Sequence, residues 1–309
     1  MSRVAPSAAH EGRASNVPVH FIYHVPKCAG QTIDGHFSSV LPGSAYYRTI
    51  KRRGPGRFLF TRHDLSKLAD ASRTRIVTGH YLGVSLDARF ADRAIKRSVL
   101  LRDPVSHSVS YYNFRMMRYI TEGLCPYSFK LAYEATQRNF ITHYILRNFL
   151  EVSWPRLAQM SDEDKYDIAN AFLASFWYVG DYRLCNEFIA DLGRELGIPG
   201  RAQARNTLAD WQRQVQWEPL TVGDLSASDV ARIRQENQLD QRLWETWRDA
   251  RHEAASVRPI PLGSRPQSGF LGNELRRAVS QVSRKFQRRF GDIGGPEMPA
   301  PQGSTALSA

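Results

Sequence analysis

The residues best suited to chemistry lie close together at His24-Val25-Pro26-Lys27-Cys28-Ala29-Gly30-Gln31-Thr32, a turn of small residues carrying one lysine. Before it runs an apolar stretch, Val19 to Val25, and after it come Ile33, Phe37, Val40 and Leu41 at i, i+4, i+7 and i+8. The first pattern predicts a buried strand and the second an amphipathic helix. A helix that starts from such a turn presents the free N–H groups of Ala29, Gly30, Gln31 and Thr32, together with its positive end, to a single point. That chemistry binds an anion, a phosphate or a sulfate.

The lysine precedes the glycine, so the loop is not the G-x-x-x-x-G-K-[ST] cradle of ATP and GTP hydrolases. The segment instead resembles the 5′-phosphosulfate loop of sulfotransferases that use 3′-phosphoadenosine 5′-phosphosulfate (PAPS), which reads roughly P-K-[TS]-[AG]-[GS]-[ST]-[ST] after a strand. Pro26, Lys27, Cys28, Ala29, Gly30, Gln31 and Thr32 occupy its positions, Cys28 and Gln31 departing from its usual residues. The resemblance implies that this loop binds PAPS, with Lys27 neutralising the oxygen that bridges sulfur and phosphorus as it leaves.

A second segment, Ser98-Val-Leu-Leu-Arg102-Asp103-Pro104, leads from an apolar strand into a helix with Asp103 as N-cap and Pro104 in its first turn. In the same enzymes an arginine ending such a strand and a serine eight residues on hold the 3′-phosphate, and Arg102 and Ser110 have that spacing. The planar guanidinium suits the task because its fork donates two charge-assisted hydrogen bonds to one phosphate. Ser106, Ser110 and Asn113 share a polar face of this helix.

Between these segments Arg75-Ile-Val-Thr-Gly-His-Tyr ends a short strand in Gly79-His80. The glycan O-sulfotransferases of the heparan and dermatan sulfate type, and their bacterial relatives, carry a Gly-His pair here with the histidine near the acceptor hydroxyl. The likeness implies a carbohydrate acceptor and makes His80 the general base, a task imidazole can perform near neutral pH. Some of those enzymes have a further histidine two positions earlier, where this chain has Thr78. Sulfuryl transfer needs no metal, and the nine histidines are scattered singly.

Two other classes stay open on sequence alone. A kinase-like phosphotransferase would use a related strand, loop and helix, but with a glycine-rich loop and acidic magnesium ligands. A non-catalytic nucleotide-binding protein could keep the whole pattern. A cysteine phosphatase built on Cys28 would need an arginine six residues later, where Asp34 stands.

These residues must be carried by strands near 19–25, 75–79, 98–102 and 175–180, most of them followed by helical patterns. Such alternation predicts an α/β fold, a parallel sheet flanked by helices in a single domain over residues 17–255. The resemblance specifies a P-loop-like sulfotransferase fold. Ligands of such sheets bind at the carboxyl ends of the strands, where the lysine loop, His80 and Arg102 all fall.

Arg115 to Pro155 reads as helical and aromatic-rich, with most of Tyr127, Phe129, Tyr133, Phe140, Tyr144 and Phe149 as core; Arg115, Arg118 and Arg138 are candidate acceptor contacts. Ser161 caps a helix rich in first-turn acids, and Leu184 to Leu196 forms another, stopped by Gly197. Arg201 to Asn206 resembles the family's nucleotide-closing loop, and Asn237 to Trp247 its closing helix, N-x-x-D-x-x-L-[YW].

Of the net charge of +12, residues 256–309 supply eight Arg/Lys against three Asp/Glu and residues 1–16 two against one. A basic body suits a polyanionic nucleotide. No helix-turn-helix, zinc-finger or RRM signature is present, so nucleic acid is not the expected partner. No run of roughly 18 apolar residues and no secretory signal occur, and three cysteines cannot pair completely, which fits a reducing cytoplasm. Met1 to Asn16 reads as disordered, and residues 51–57 as an exposed basic loop. Beyond residue 255 lies a Pro/Gly/Ser-rich tail in which residues 273–290 could form a basic amphipathic helix suited to an anionic membrane surface.

Overall fold

The computed structural model describes residues 17–49, 68, 71–200 and 217–249. Five strands, β1 (Val19–Tyr23), β2 (Tyr46–Arg48), β3 (Ile76–Gly79), β4 (Ile95–Leu101) and β5 (Tyr178–Asp181), form one sheet in the order β2-β3-β1-β4-β5. All neighbours run parallel. The expected α/β class with a parallel sheet and flanking helices is therefore what the chain adopts.

β1 is buried at every position, as a strand covered on both faces must be. Its alternate side chains feed two cores. On one face Ile22 joins Ile33, Phe37 and Leu41 of α1 (Gly30–Val40) with its C-cap, and Phe188, Ile189 and Leu192 of α7 (Cys185–Leu196). On the other, Phe21 meets Phe90 edge-on at 5.3 Å, and Tyr23 packs among Phe149, Phe172 and Phe176. Phe172 belongs to α6 (Asp162–Ala174), whose capping box joins Ser161 and Asp164.

β1 ends at Tyr23 rather than Val25, β4 begins earlier than expected, and β5 begins three residues later. β2 has no counterpart among the expected strands. Three residues at a sheet edge carry too little apolar periodicity to be distinguished. α2 (Pro104–Thr121) opens as expected on Asp103, which accepts from the Ser106 amide at 2.9 Å.

The stretch after α2 forms short helices, α3 (Phe129–Glu134), α4 (Phe140–Tyr144), which continues as a π-helical turn to Phe149, and α5 (Trp154–Gln159). Tyr133 and Phe149 are core, but Phe140 and Tyr144 line a cleft at the carboxyl ends of the strands instead. The described chain closes with α8 (Ala227–Glu236) and α9 (Gln238–Trp247). Asn237 and Asp240 of the N-x-x-D pattern lock α4: the Asn139 amide donates to Asn237 Oδ1 at 2.8 Å, and the Ile141 and Thr142 amides to Asp240 at 2.9 and 2.8 Å.

Among the described residues no helix is long and apolar enough to cross a membrane. Residues 1–16, 51–57, 201–206 and 273–290, each given an expectation above, lie outside the described residues.

Candidate functional site

β1 delivers the chain into the loop Pro26–Ala29, where Lys27 (φ 68°) and Ala29 (φ 61°) both take left-handed backbone. Each such non-glycine residue costs on the order of 1 kcal/mol, so surrounding contacts must hold the turn. They do so through its carbonyls. Val25 accepts from the Cys28 amide at 3.3 Å, Pro26 from His107 Nε2 at 3.0 Å and Lys27 from Arg102 Nη1 at 3.1 Å. With three successive carbonyls tied back, the amides of Ala29, Gly30 and Gln31 take no acceptor among the described residues. Thr32 differs from expectation, since its amide donates to Ala29 at 3.0 Å and only its hydroxyl remains for a ligand.

Cys28 is the second correction. Its side chain is 3 % exposed and burial pushes the thiol up to about 12, so it packs inward and presents nothing to the site. Lys27 lies 4.6 Å over the ring of Phe114. Burial, and then Arg102, pull its ammonium down to about 8.

Arg102 follows the last residue of β4. Its Nε donates to Ser106 Oγ at 2.9 Å, Asp103 accepts from the same serine's hydroxyl, and the guanidinium lies 4.0 Å over the Tyr182 ring. Nη2 meets no acceptor among the described residues. Ser110 lines the same cleft one turn further along α2. The polar face is thus split three ways: Ser106 orients Arg102, Ser110 faces the cleft, and buried Asn113 clamps the Leu220 backbone through bonds of 2.8 and 3.1 Å.

His80 follows the last residue of β3 and stands beside the loop, because the register sets Tyr23 against Gly79. Its Nδ1 lies 2.9 Å from the carbonyl oxygen of His24. A carbonyl only accepts, so Nδ1 carries the proton and Nε2 of the neutral ring is a bare acceptor, the tautomer a base needs. The Tyr144 hydroxyl donates to the His80 carbonyl at 2.7 Å, and burial lowers the imidazole below its ordinary range.

Lys27, Ala29, Gly30, Gln31, Thr32, His80, Arg102 and Ser110 all line one cleft of about 650 Å³. That volume is typical of ligand sites, roughly 300–1,000 Å³. Its charged lining residues among those described are Lys27, Arg102 and Arg118, with no carboxylate. Of the other arginines, Arg138 is spent on Glu236 at 2.6 Å and on the carbonyls of Tyr133 and Thr136, which removes it from the acceptor contacts. Arg115 lies 5.8 Å from the Tyr127 ring and does not line the cleft. Among the described residues no group of His, Cys, Asp or Glu is arranged to hold a metal ion.

A comparison with protein families finds none that matches this chain, and a comparison with curated proteins finds no match either. Several residues of the cleft escape a reading of the sequence. Phe114, Tyr144 and Tyr182 reach it from three separate elements, and His107 holds the loop from behind. His107, one turn into α2, lies away from the Val105, Val109 and Met116 stripe of that helix, and nothing in the periodicity marks it.

Proposed function

We propose that this chain is a PAPS-dependent sulfotransferase acting on a hydroxyl acceptor, in this reading a carbohydrate. One observation carries it: the lysine loop, the Arg102–Ser110 pair and Gly79-His80 line one cleft although they lie far apart in sequence, and no described lining residue is a carboxylate. A fixed set of cations and amides without opposing acids favours a ligand with several anionic groups. A metal-dependent phosphotransferase would want acids in the same place.

The residues divide the work. The amides of Ala29, Gly30 and Gln31 with the Thr32 hydroxyl hold the 5′-phosphosulfate, while Arg102 and Ser110 hold the 3′-phosphate. His80 Nε2 takes the proton of the acceptor hydroxyl as that oxygen bonds to sulfur. The bond from sulfur to the bridging oxygen breaks, and Lys27 donates to this oxygen as adenosine 3′,5′-bisphosphate departs. Positioning and charge stabilisation supply most of the acceleration.

Incubation with sulfur-labelled PAPS and a panel of polysaccharide, lipid and phenolic acceptors tests the reading. Label should appear in an acceptor hydroxyl with the wild type and not with Lys27→Ala. Equal label in both would overturn the proposal.

A further inference from the structure

Gly30 does not owe its identity to its backbone, for it is absent from the glycines with positive φ. It is required by a neighbour. A Cβ at this position would lie 1.8 to 2.3 Å from Cδ2, Nε2 and Cε1 of the His24 ring. The same imidazole stacks on His80, with ring centroids 3.8 Å apart and planes 26° from parallel. The His24 carbonyl also fixes the His80 tautomer. His24 is only 5 % exposed, so its ring is held rather than free to swing.

We infer that His24 is a positioning residue whose ring, wedged between Gly30 and His80, sets the spacing of the anion loop from the base. The inference rests on the proposed role of His80. In-line transfer requires the acceptor oxygen, held by the base, and the sulfuryl group, held by the loop, to meet at one distance, and misplacement by 1 Å costs about 10²-fold. A ring clamped on both sides fixes that distance more closely than either loop could alone. The wedge is neutral, since burial, with His80, Arg48 and Lys27 nearby, holds His24 well below the ordinary histidine range.

The groups that act on His80 are His24 on the β1 side, Tyr81 next to it, Arg48 of β2 with its partner Asp34 of α1 at 2.7 Å, and Tyr144 of α4. All but His24 stay unchanged in a double-mutant cycle of His24→Ala and Gly30→Ala. In the wild type, Gly30→Ala should displace the ring, lower the unfolding temperature and raise the His80 pKa, followed by NMR of its ring protons. In the His24→Ala protein the three atoms nearest the added methyl are gone, so the same substitution should cost far less.

His24→Ala by itself should let water reach His80, move its pKa up toward the ordinary value of about 6.5, and reduce sulfuryl transfer about 10²-fold. His24→Phe, which keeps a flat ring in the gap, should retain the low His80 pKa. Equal cost of Gly30→Ala in both backgrounds, or an unmoved His80 pKa in His24→Ala, would overturn the inference. The cycle and titration need no turnover: were they to hold in a protein that transfers no sulfuryl group, the wedge would stand and the proposed function would fall.

Discussion

Arg102 donates through Nη1 to the carbonyl oxygen of Lys27, 3.1 Å away and 75 residues earlier in the chain. The contact joins the two segments that the proposed chemistry assigns to opposite ends of one nucleotide. It also places two cations side by side, and Arg102 is the largest charge effect lowering the Lys27 ammonium after burial itself.

Lys27 is therefore expected to act against stability while it serves binding. Its folded-state pKa of about 8 lies below the unfolded value, so the associated stability is present at high pH and is lost as pH falls through about 8. At pH 7 the charged lysine destabilises the fold, and Lys27→Met should gain on the order of 2 kcal/mol in urea unfolding while losing the ligand. A destabilised Lys27→Met protein would show that the ammonium is not desolvated as described.

His80→Asn keeps a donor toward the His24 carbonyl but removes the proposed base. Nucleotide affinity should stay within a few-fold of wild type by calorimetry, while turnover falls roughly 10²–10⁴. In the wild type the acid limb of turnover should lie below the ordinary histidine range, because protonation of a ring whose pKa burial has lowered needs a lower pH. Near-wild-type turnover in His80→Asn would refute the assignment.

Arg93 makes a prediction away from the cleft. It is 8 % exposed and donates to carbonyls of Val17, Pro18, Ala71, Ser72 and Thr74, tying the chain entering β1 to the chain entering β3. Arg93→Met leaves several of these acceptors unsatisfied and should cost about 3 kcal/mol by urea denaturation. Arg93→Lys should recover only part, since a single ammonium cannot span them; full recovery would mean that charge alone matters.

Sequence made the cleft's frame legible where local chemistry and position coincide. The lysine loop follows a mostly apolar strand, and Arg102 precedes an Asp-Pro helix start, so both could be placed at strand ends from local sequence. Contacts across the chain were not legible. Periodicity puts Ser110 and Asn113 on one face of α2, yet whether that face meets the cleft or Leu220 depends on a segment 107 residues further on. Gly30 reads as an anion-loop glycine, whereas its close neighbour is the His24 ring. Cys28 looks like a loop residue because the turn is short; its left-handed neighbours on either side rotate the thiol into the core.

Calorimetry of adenosine 3′,5′-bisphosphate against AMP, in wild type and Arg102→Ala, tests the central claim most directly. A protein whose Arg102 and Ser110 hold a 3′-phosphate should bind the bisphosphate at least about tenfold more tightly than AMP, roughly 1.4 kcal/mol, and Arg102→Ala should erase most of that ratio. Equal affinity for the two nucleotides in the wild type would contradict the account.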